Sequence, residues 1–259
     1  MTATGLRYDY RVHVDGLTFR VRGSGGSGDS SSPVYVLVHG IGASHRYFQR
    51  LHDELAITSE VYSIDIPGFG GLPKPNIAPT VFGVAAALGT VVERLHVQNV
   101  VLIGHSMGAQ WVVETAVLHP GLTSAVVIIG PVADERHRTL PAQSAALFRD
   151  VLGETPAVNA VVMIDYLRCG PSWFLRETKP MLSYPIERRV PLLNVPLLVI
   201  RGGKDPIAGI RWCRQLRDAA RWGRLVVVPG HHHVVQFTAA RTVRSAIHSF
   251  AGNSVRAQK

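Results

Sequence analysis

Val100-Val-Leu-Ile-Gly-His-Ser-Met-Gly-Ala-Gln-Trp-Val-Val-Glu114 is the stretch on which the fold of this chain turns. Val100–Ile103 is a short apolar run bounded by glycine, which fits a buried strand, and Met107–Leu118 has the length and pattern of a helix. Between them Gly104-His105-Ser106-Met107-Gly108 must reverse from one to the other within a few residues. A turn that sharp holds its central residue in a strained conformation with the side chain projecting outward, and glycines on both sides relieve the crowding. Ser106 is thereby offered as a nucleophile near a helix N-terminus. The five-residue pattern alone is weak, and its position between strand and helix is what makes it specific.

The same rhythm extends in both directions. Apolar runs at Val34–Val38, Val61–Ile64, Ala125–Ile129, Leu197–Ile200 and Leu225–Val228 alternate with helical stretches at Arg46–Leu55, Val81–Leu95, Ile207–Ala219 and Ala239–Phe250. Repeated strand and helix units predict an α/β fold around a mostly parallel twisted sheet with helices on both faces. Two alternating segments, Leu6 to Val14 and Leu17 to Arg22, flank Asp15-Gly16 and predict an opening hairpin. Gly23 to Pro33 has linker composition, but the segment before it is too short to hold a core, so a surface loop is expected. The rhythm breaks from Pro131 to Pro191, where Ala145–Leu152 and Val158–Leu167 are amphipathic and Trp173-Phe174 follows. This predicts a core of residues 1–130 and 192–259 carrying a helical cap insertion over 131–191.

With 259 residues, 46% hydrophobic and 17% charged, the chain can bury one sizeable core. No apolar run is long enough to span a bilayer, and the first ten residues lack the apolar segment of a signal peptide, so no membrane insertion and a cytoplasmic location are expected. The formal charge of +9 invites a nucleic-acid reading. The arginines, however, are scattered from Arg7 to Arg256 with no accompanying aromatic stripe, so a solvated surface and no nucleic-acid partner are expected. Cys169 and Cys213 are too few for a disulfide framework and lack a CxxC pairing, so packing is their expected role.

Ligands in open α/β sheets bind at the carboxyl ends of strands, where three further loops are unusual. Arg201-Gly-Gly-Lys-Asp205-Pro206 puts a carboxylate where it can accept the Nδ1 hydrogen of a histidine and hold its tautomer. Pro229-Gly-His231-His232-His233 offers three imidazoles, nearly equal on chemical grounds. Adjacent side chains on a loop point apart and seldom share one ion, so no metal is expected. His39-Gly40-Ile41-Gly42-Ala43-Ser44 lets the Ile41 amide converge with that of Met107 on the point where a tetrahedral intermediate would develop negative charge.

The order Ser106, Asp205, histidine, together with His39-Gly40, Asp65-Ile-Pro-Gly-Phe-Gly70 and Gly203-Lys-Asp205, resembles the α/β-hydrolase superfamily over nearly the whole chain. The resemblance implies the α/β-hydrolase fold, no cofactor, and His233 as the base, because the family's Pro-Gly-x-x-His places the imidazole there. It also implies that Asp65 belongs to a structural loop. Asp134 is a rival acid, since some members place their carboxylate after the strand Ala125–Ile129.

The expected catalytic residues are therefore Ser106, Asp205 and His233, with Ile41 and Met107 as oxyanion donors. A serine nucleophile implies hydrolysis of a small-molecule carboxylic ester through an acyl-enzyme. Two alternatives remain. One is carbon-carbon hydrolysis of acidic dienoates, for which Arg168 or Arg176 could bind a carboxylate. The other is a hydrolase-like receptor for a small ligand. Leu147, Phe148, Val161, Val162, Tyr166 and Leu167 are candidate pocket walls, and Trp173 and Phe174 are the expected substrate contacts.

Overall fold

The computed structural model describes residues 7–26 and 32–257, with the side chains of Arg7 and of 253–257 outside the description. Eight strands form one sheet: β1 (Arg7–Val14), β2 (Leu17–Ser24), β3 (Val34–Val38), β4 (Val61–Asp65), β5 (Val100–His105), β6 (Thr123–Ile129), β7 (Leu197–Gly202) and β8 (Gly223–Val228). Their spatial order is β1-β2-β4-β3-β5-β6-β7-β8. The first two pairings, β1 with β2 and β2 with β4, are antiparallel, and all later ones are parallel. Asp15 and Gly16 both have positive φ, 48° and 75°, which is what a tight hairpin between right-twisted strands requires. Residues 27–31 of the predicted surface loop lie outside the described residues.

Every residue of β3, β4, β5 and β7 is buried, because helices cover both faces. Successive side chains alternate between two cores. Val36, Leu102 and Val126 join the core under α2 (Val81–Glu93), α3 (Gly108–Leu118) and α8 (Ile210–Ala219). Tyr35, Leu37, Val101 and Ile103 join the core under α1 (Gln49–Leu55) and α10 (Ala240–Ala257). The stretch predicted as one helix over Arg46–Leu55 is a 3₁₀ turn at His45–Phe48 followed by α1. A short helix α9 (Val235–Thr238) precedes α10.

Between β6 and β7 run α4 (Leu140–Gly153), α5 (Pro156–Cys169), α6 (Pro171–Ser183) and α7 (Ile186–Arg189). Thr139 and Thr155 accept hydrogen bonds from the first turns of α4 and α5, and each helix has proline at one of its first two positions. α6 was not expected as a helix. Its start is set by Gly170, at φ 76°, followed directly by Pro171.

The end of this helical segment is tied to the sheet layer by a buried carboxylate. Glu114 on α3 is fully buried and receives the Tyr184 hydroxyl at 2.6 Å and Arg189 Nε and Nη2 at 2.7 and 2.8 Å. Arg189→Ala would leave that carboxylate with one partner in a dry environment, and such a change costs about 3 kcal/mol. Urea unfolding should show the loss, and a midpoint equal to wild type would contradict it.

Candidate active site

In the strand order the chain proceeds from β3 to β4 on one side and then to β5 on the other, so the loops leaving β3 and β5 diverge. The crevice at such a reversal is where α/β sheets place ligands. Ser106 stands at the end of β5 with φ +58°, a conformation that costs a residue with a Cβ on the order of 1–3 kcal/mol. The two glycines of the turn are needed for close backbone approach. A Cβ on Gly104 would lie 2.2 Å from the Gly108 carbonyl oxygen, and one on Gly108 would lie 2.3 Å from that of Val38.

Asp205 follows β7. Pro206 has no amide hydrogen, so the carboxylate reaches past it: Oδ1 accepts from the Ile207 and Ala208 amides at 2.8 and 2.9 Å. That leaves Oδ2 for His233 Nδ1 at 2.9 Å. The loop after β8 can reach this point because Gly202 has no side chain; a Cβ there would meet the His232 carbonyl oxygen at 2.0 Å. Of the three adjacent histidines, His231 lies 2.9 Å from the Thr238 hydroxyl and His232 packs against Gly153, while His233 reaches Asp205. Ser106 and His233 line one cavity, although among the described residues no hydrogen bond yet joins Ser106 Oγ to the ring.

Across the cavity, His39 Nδ1 donates to the Gly40 carbonyl at 2.8 Å and Nε2 accepts from the Ile66 amide at 3.0 Å. A trans peptide points its N–H opposite to its carbonyl, so fixing the Gly40 oxygen fixes the direction of the Ile41 amide. Ile41 lines the cavity, and Met107 lies directly after Ser106 as the N-cap of α3. Neither amide has an acceptor among the described residues.

Two residues near the site carried no signal in the sequence analysis. The Gly40 amide donates to the Tyr47 hydroxyl, which lies 2.8 Å from His105 Nδ1, and His105 Nε2 lies 3.1 Å from the His233 carbonyl oxygen. With the His105 proton on Nε2, every donor in this chain meets an acceptor. Burial, and then the charge of His233, hold His105 well below the ordinary imidazole pKa, so it stays neutral.

The expected substrate contacts divide. Phe174 lines the cavity, but Trp173 does not: it is buried against Gly68 and Phe69, with ring centroids 6.4 Å apart from Phe69. Neighbouring residues on a helix point about 100° apart, so the pair could not face one cavity together. Leu147, Val162 and Tyr166 join the lining, whereas Phe148 and Leu167 face outward and Val161 packs against the core. Arg168 and Arg176 are exposed, and among the described residues no arginine or lysine borders the cavity. Asp134 pairs with Arg211 at 3.1 Å, and Asp65 accepts from the His45 amide at 2.6 Å. Among the described residues no cluster could hold a metal ion, and no helix is long and apolar enough to cross a membrane. Cys169 and Cys213 are buried free thiols.

A sequence model of the alpha/beta hydrolase family matches residues 35–246. The chain belongs to the alpha/beta hydrolase family. It is 25% identical, over 88% of its length and 96% of the relative's, to the pimeloyl-[acyl-carrier protein] methyl ester esterase of Neisseria meningitidis. It is 27% identical, over 86% of its length, to the dihydrolipoyllysine-residue acetyltransferase component of the acetoin cleaving system of Pseudomonas putida, of which it spans only 64%. The enol-lactonase of Burkholderia xenovorans LB400 has the same fold, with a TM-score of 0.80 at 20% identity, covering 93% of this chain and 99% of that one.

Burial pulls the His233 imidazole down, but the Asp205 carboxylate, by charge and hydrogen bond, outweighs it and pushes the pKa up to about 9. A hydrolase using this ring as base needs it neutral. For any substrate turned over, kcat/KM should therefore rise with pH and reach half its plateau near 9, not near the 6.5 of a free imidazole. A midpoint at 6.5 or below would contradict this.

Proposed function

We propose that this hydrolase cleaves small, largely apolar carboxylic esters through an acyl-enzyme on Ser106, with His233 as base and Asp205 as its orienting acid. The observation that carries the reading is that Ser106, at φ +58°, opens into the same cavity as an imidazole held at 2.9 Å by a buried carboxylate. His233 takes the Ser106 proton as Oγ attacks the carbonyl carbon. The Ile41 and Met107 amides receive the developing oxyanion, and the alcohol leaves with the proton from His233. Water then repeats the sequence and releases the acid. The esterase relative from Neisseria supports the ester reading, as does the cavity lining, which among the described residues has no arginine or lysine to pair with the carboxylate of an acidic dienoate.

In this reading α4–α7 form a cap, dividing the chain into a core of 1–130 and 192–259 and an insertion of 131–191. The space left beneath the cap is about 90 Å³, less than the roughly 150 Å³ that takes up a benzene molecule, so a short acyl group is favoured.

The test uses p-nitrophenyl acetate and octanoate with wild type and Ser106→Ala, beside a serine-directed phosphonate whose adduct is located by mass spectrometry. Acetate should be hydrolysed faster than octanoate, Ser106→Ala should lose on the order of a millionfold, and the label should sit on Ser106. No turnover and no label on the wild type would remove the reading.

A further inference from the structure

The C-terminal end of α4 meets the His233 loop through two acids, Asp150 in its last turn and Glu154, the extended residue that follows its last position. Asp150 Oδ1 accepts the His233 amide at 2.9 Å, and Glu154 Oε1 accepts the next amide, that of Val234, also at 2.9 Å. Both side chains border the catalytic cavity. We propose that Asp150 and Glu154 are positioning residues for His233, holding its segment by two consecutive amides and setting anionic charge beside its ring. This rests on the reading of His233 as the base.

The choice of acids is what points to charge. An asparagine or glutamine oxygen would accept an amide hydrogen as well, without the cost of desolvating a carboxylate. Asp150 is only 3% exposed, and burial pushes its pKa up to about 6, while the charge and amide of His233 hold it from rising further. The groups facing it are His232, whose Nδ1 is 3.8 Å from Oδ1, His233, Asp205, Glu154, and Tyr166 from α5. The His233 ring also faces the neutral His105 ring at 4.5 Å. Above pH 6, then, His233 has Asp205 on its Nδ1 and two further carboxylates at its backbone. They favour the imidazolium that forms when Ser106 gives up its proton. They also raise the pH at which the resting ring becomes neutral. Because Leu147 and Val151 of the same helix line the cavity, a substrate that displaces α4 would act on the base through this clasp.

Asp150→Asn and Glu154→Gln keep an acceptor and remove the charge; Asp150→Ala removes both. The His233 ring is titrated by NMR in each protein, including on a Ser106→Ala background, so that the readout does not depend on turnover. Removing a neighbouring anion destabilises the imidazolium, so the Asp150→Asn midpoint should fall by about one pH unit, and Glu154→Gln, at the more exposed acid, should fall by less. The acid limb of kcat/KM should move down with it, and the plateau above the limb should fall by up to about tenfold, because the variant has lost charge that favours the imidazolium formed in the transition state. In Asp150→Ala the His233 amide should also lose protection against hydrogen exchange. An unchanged His233 midpoint in a folded Asp150→Asn protein overturns the proposal; if that variant does not fold, an unchanged midpoint in Glu154→Gln does so. Phosphonate labelling of wild type separates the two ideas: a shifted midpoint without a Ser106 label keeps the clasp and removes the esterase reading.

Discussion

The backbone reversal at Ser106 is the constraint to which the rest of the site conforms. A serine at φ +58° persists only where its surroundings leave no alternative, and here both flanks are locked. The Ser106 amide donates to the Ile129 carbonyl at 2.9 Å, tying the turn to β6, while Gly108 lies against the carbonyls closing β3. The reversal is therefore registered on the strands at either side of β5. The loop after β3 must then pass directly beside it, and a Cβ on Gly40 would lie 2.8 Å from that of Ser106.

The two sides of the cavity are joined beneath Ser106. The chain from the Gly40 amide through Tyr47 and His105 to the His233 carbonyl couples the loop after β3 to the loop after β8, although these segments are nearly 200 residues apart. Its polarity depends on a neutral His105. Protonating that ring would place a second cation 4.5 Å from His233 and would leave the Tyr47 hydroxyl without an acceptor at Nδ1. Burial prevents this, so the same low-polarity environment that makes His105 inert preserves the alignment of its neighbours.

What could be read from the sequence was whatever has a local signature. The strands of the parallel sheet are continuous apolar runs because both faces are covered, and the turn at Ser106 announces itself by its two glycines. Asp205 was legible from its place after a strand, whereas the choice of His233 over His231 and His232 needed the family resemblance. The start of α6 had a signal in Gly170-Pro171, which the aromatic pair after it obscured. Trp173 and Phe174 were treated alike because composition does not record which way a helical side chain points, and only Phe174 lines the cavity. Asp150 had no readable role: its partner lies 83 residues away, and nothing in the α4 sequence distinguishes an acid facing an amide from one facing water. Tyr47 and His105 were hidden for the same reason, being 58 residues apart.

The arginines and lysines behind the net charge of +9 do not line the cavity among the described residues. Among those residues the cavity wall carries two acids, Asp150 and Glu154, and its one strongly basic group is the His233 imidazole, itself paired with Asp205. In a low-dielectric space the local groups dominate, while exposed charges farther than about 10 Å are screened by salt. Such a wall does not oppose a neutral ester. Once the acyl-enzyme is hydrolysed, however, the product is a carboxylate held beside Asp150 and Glu154. In the proposed reaction the ground state of bound product is thus raised relative to bound substrate, so the charges that support the His233 imidazolium also favour departure of the acid.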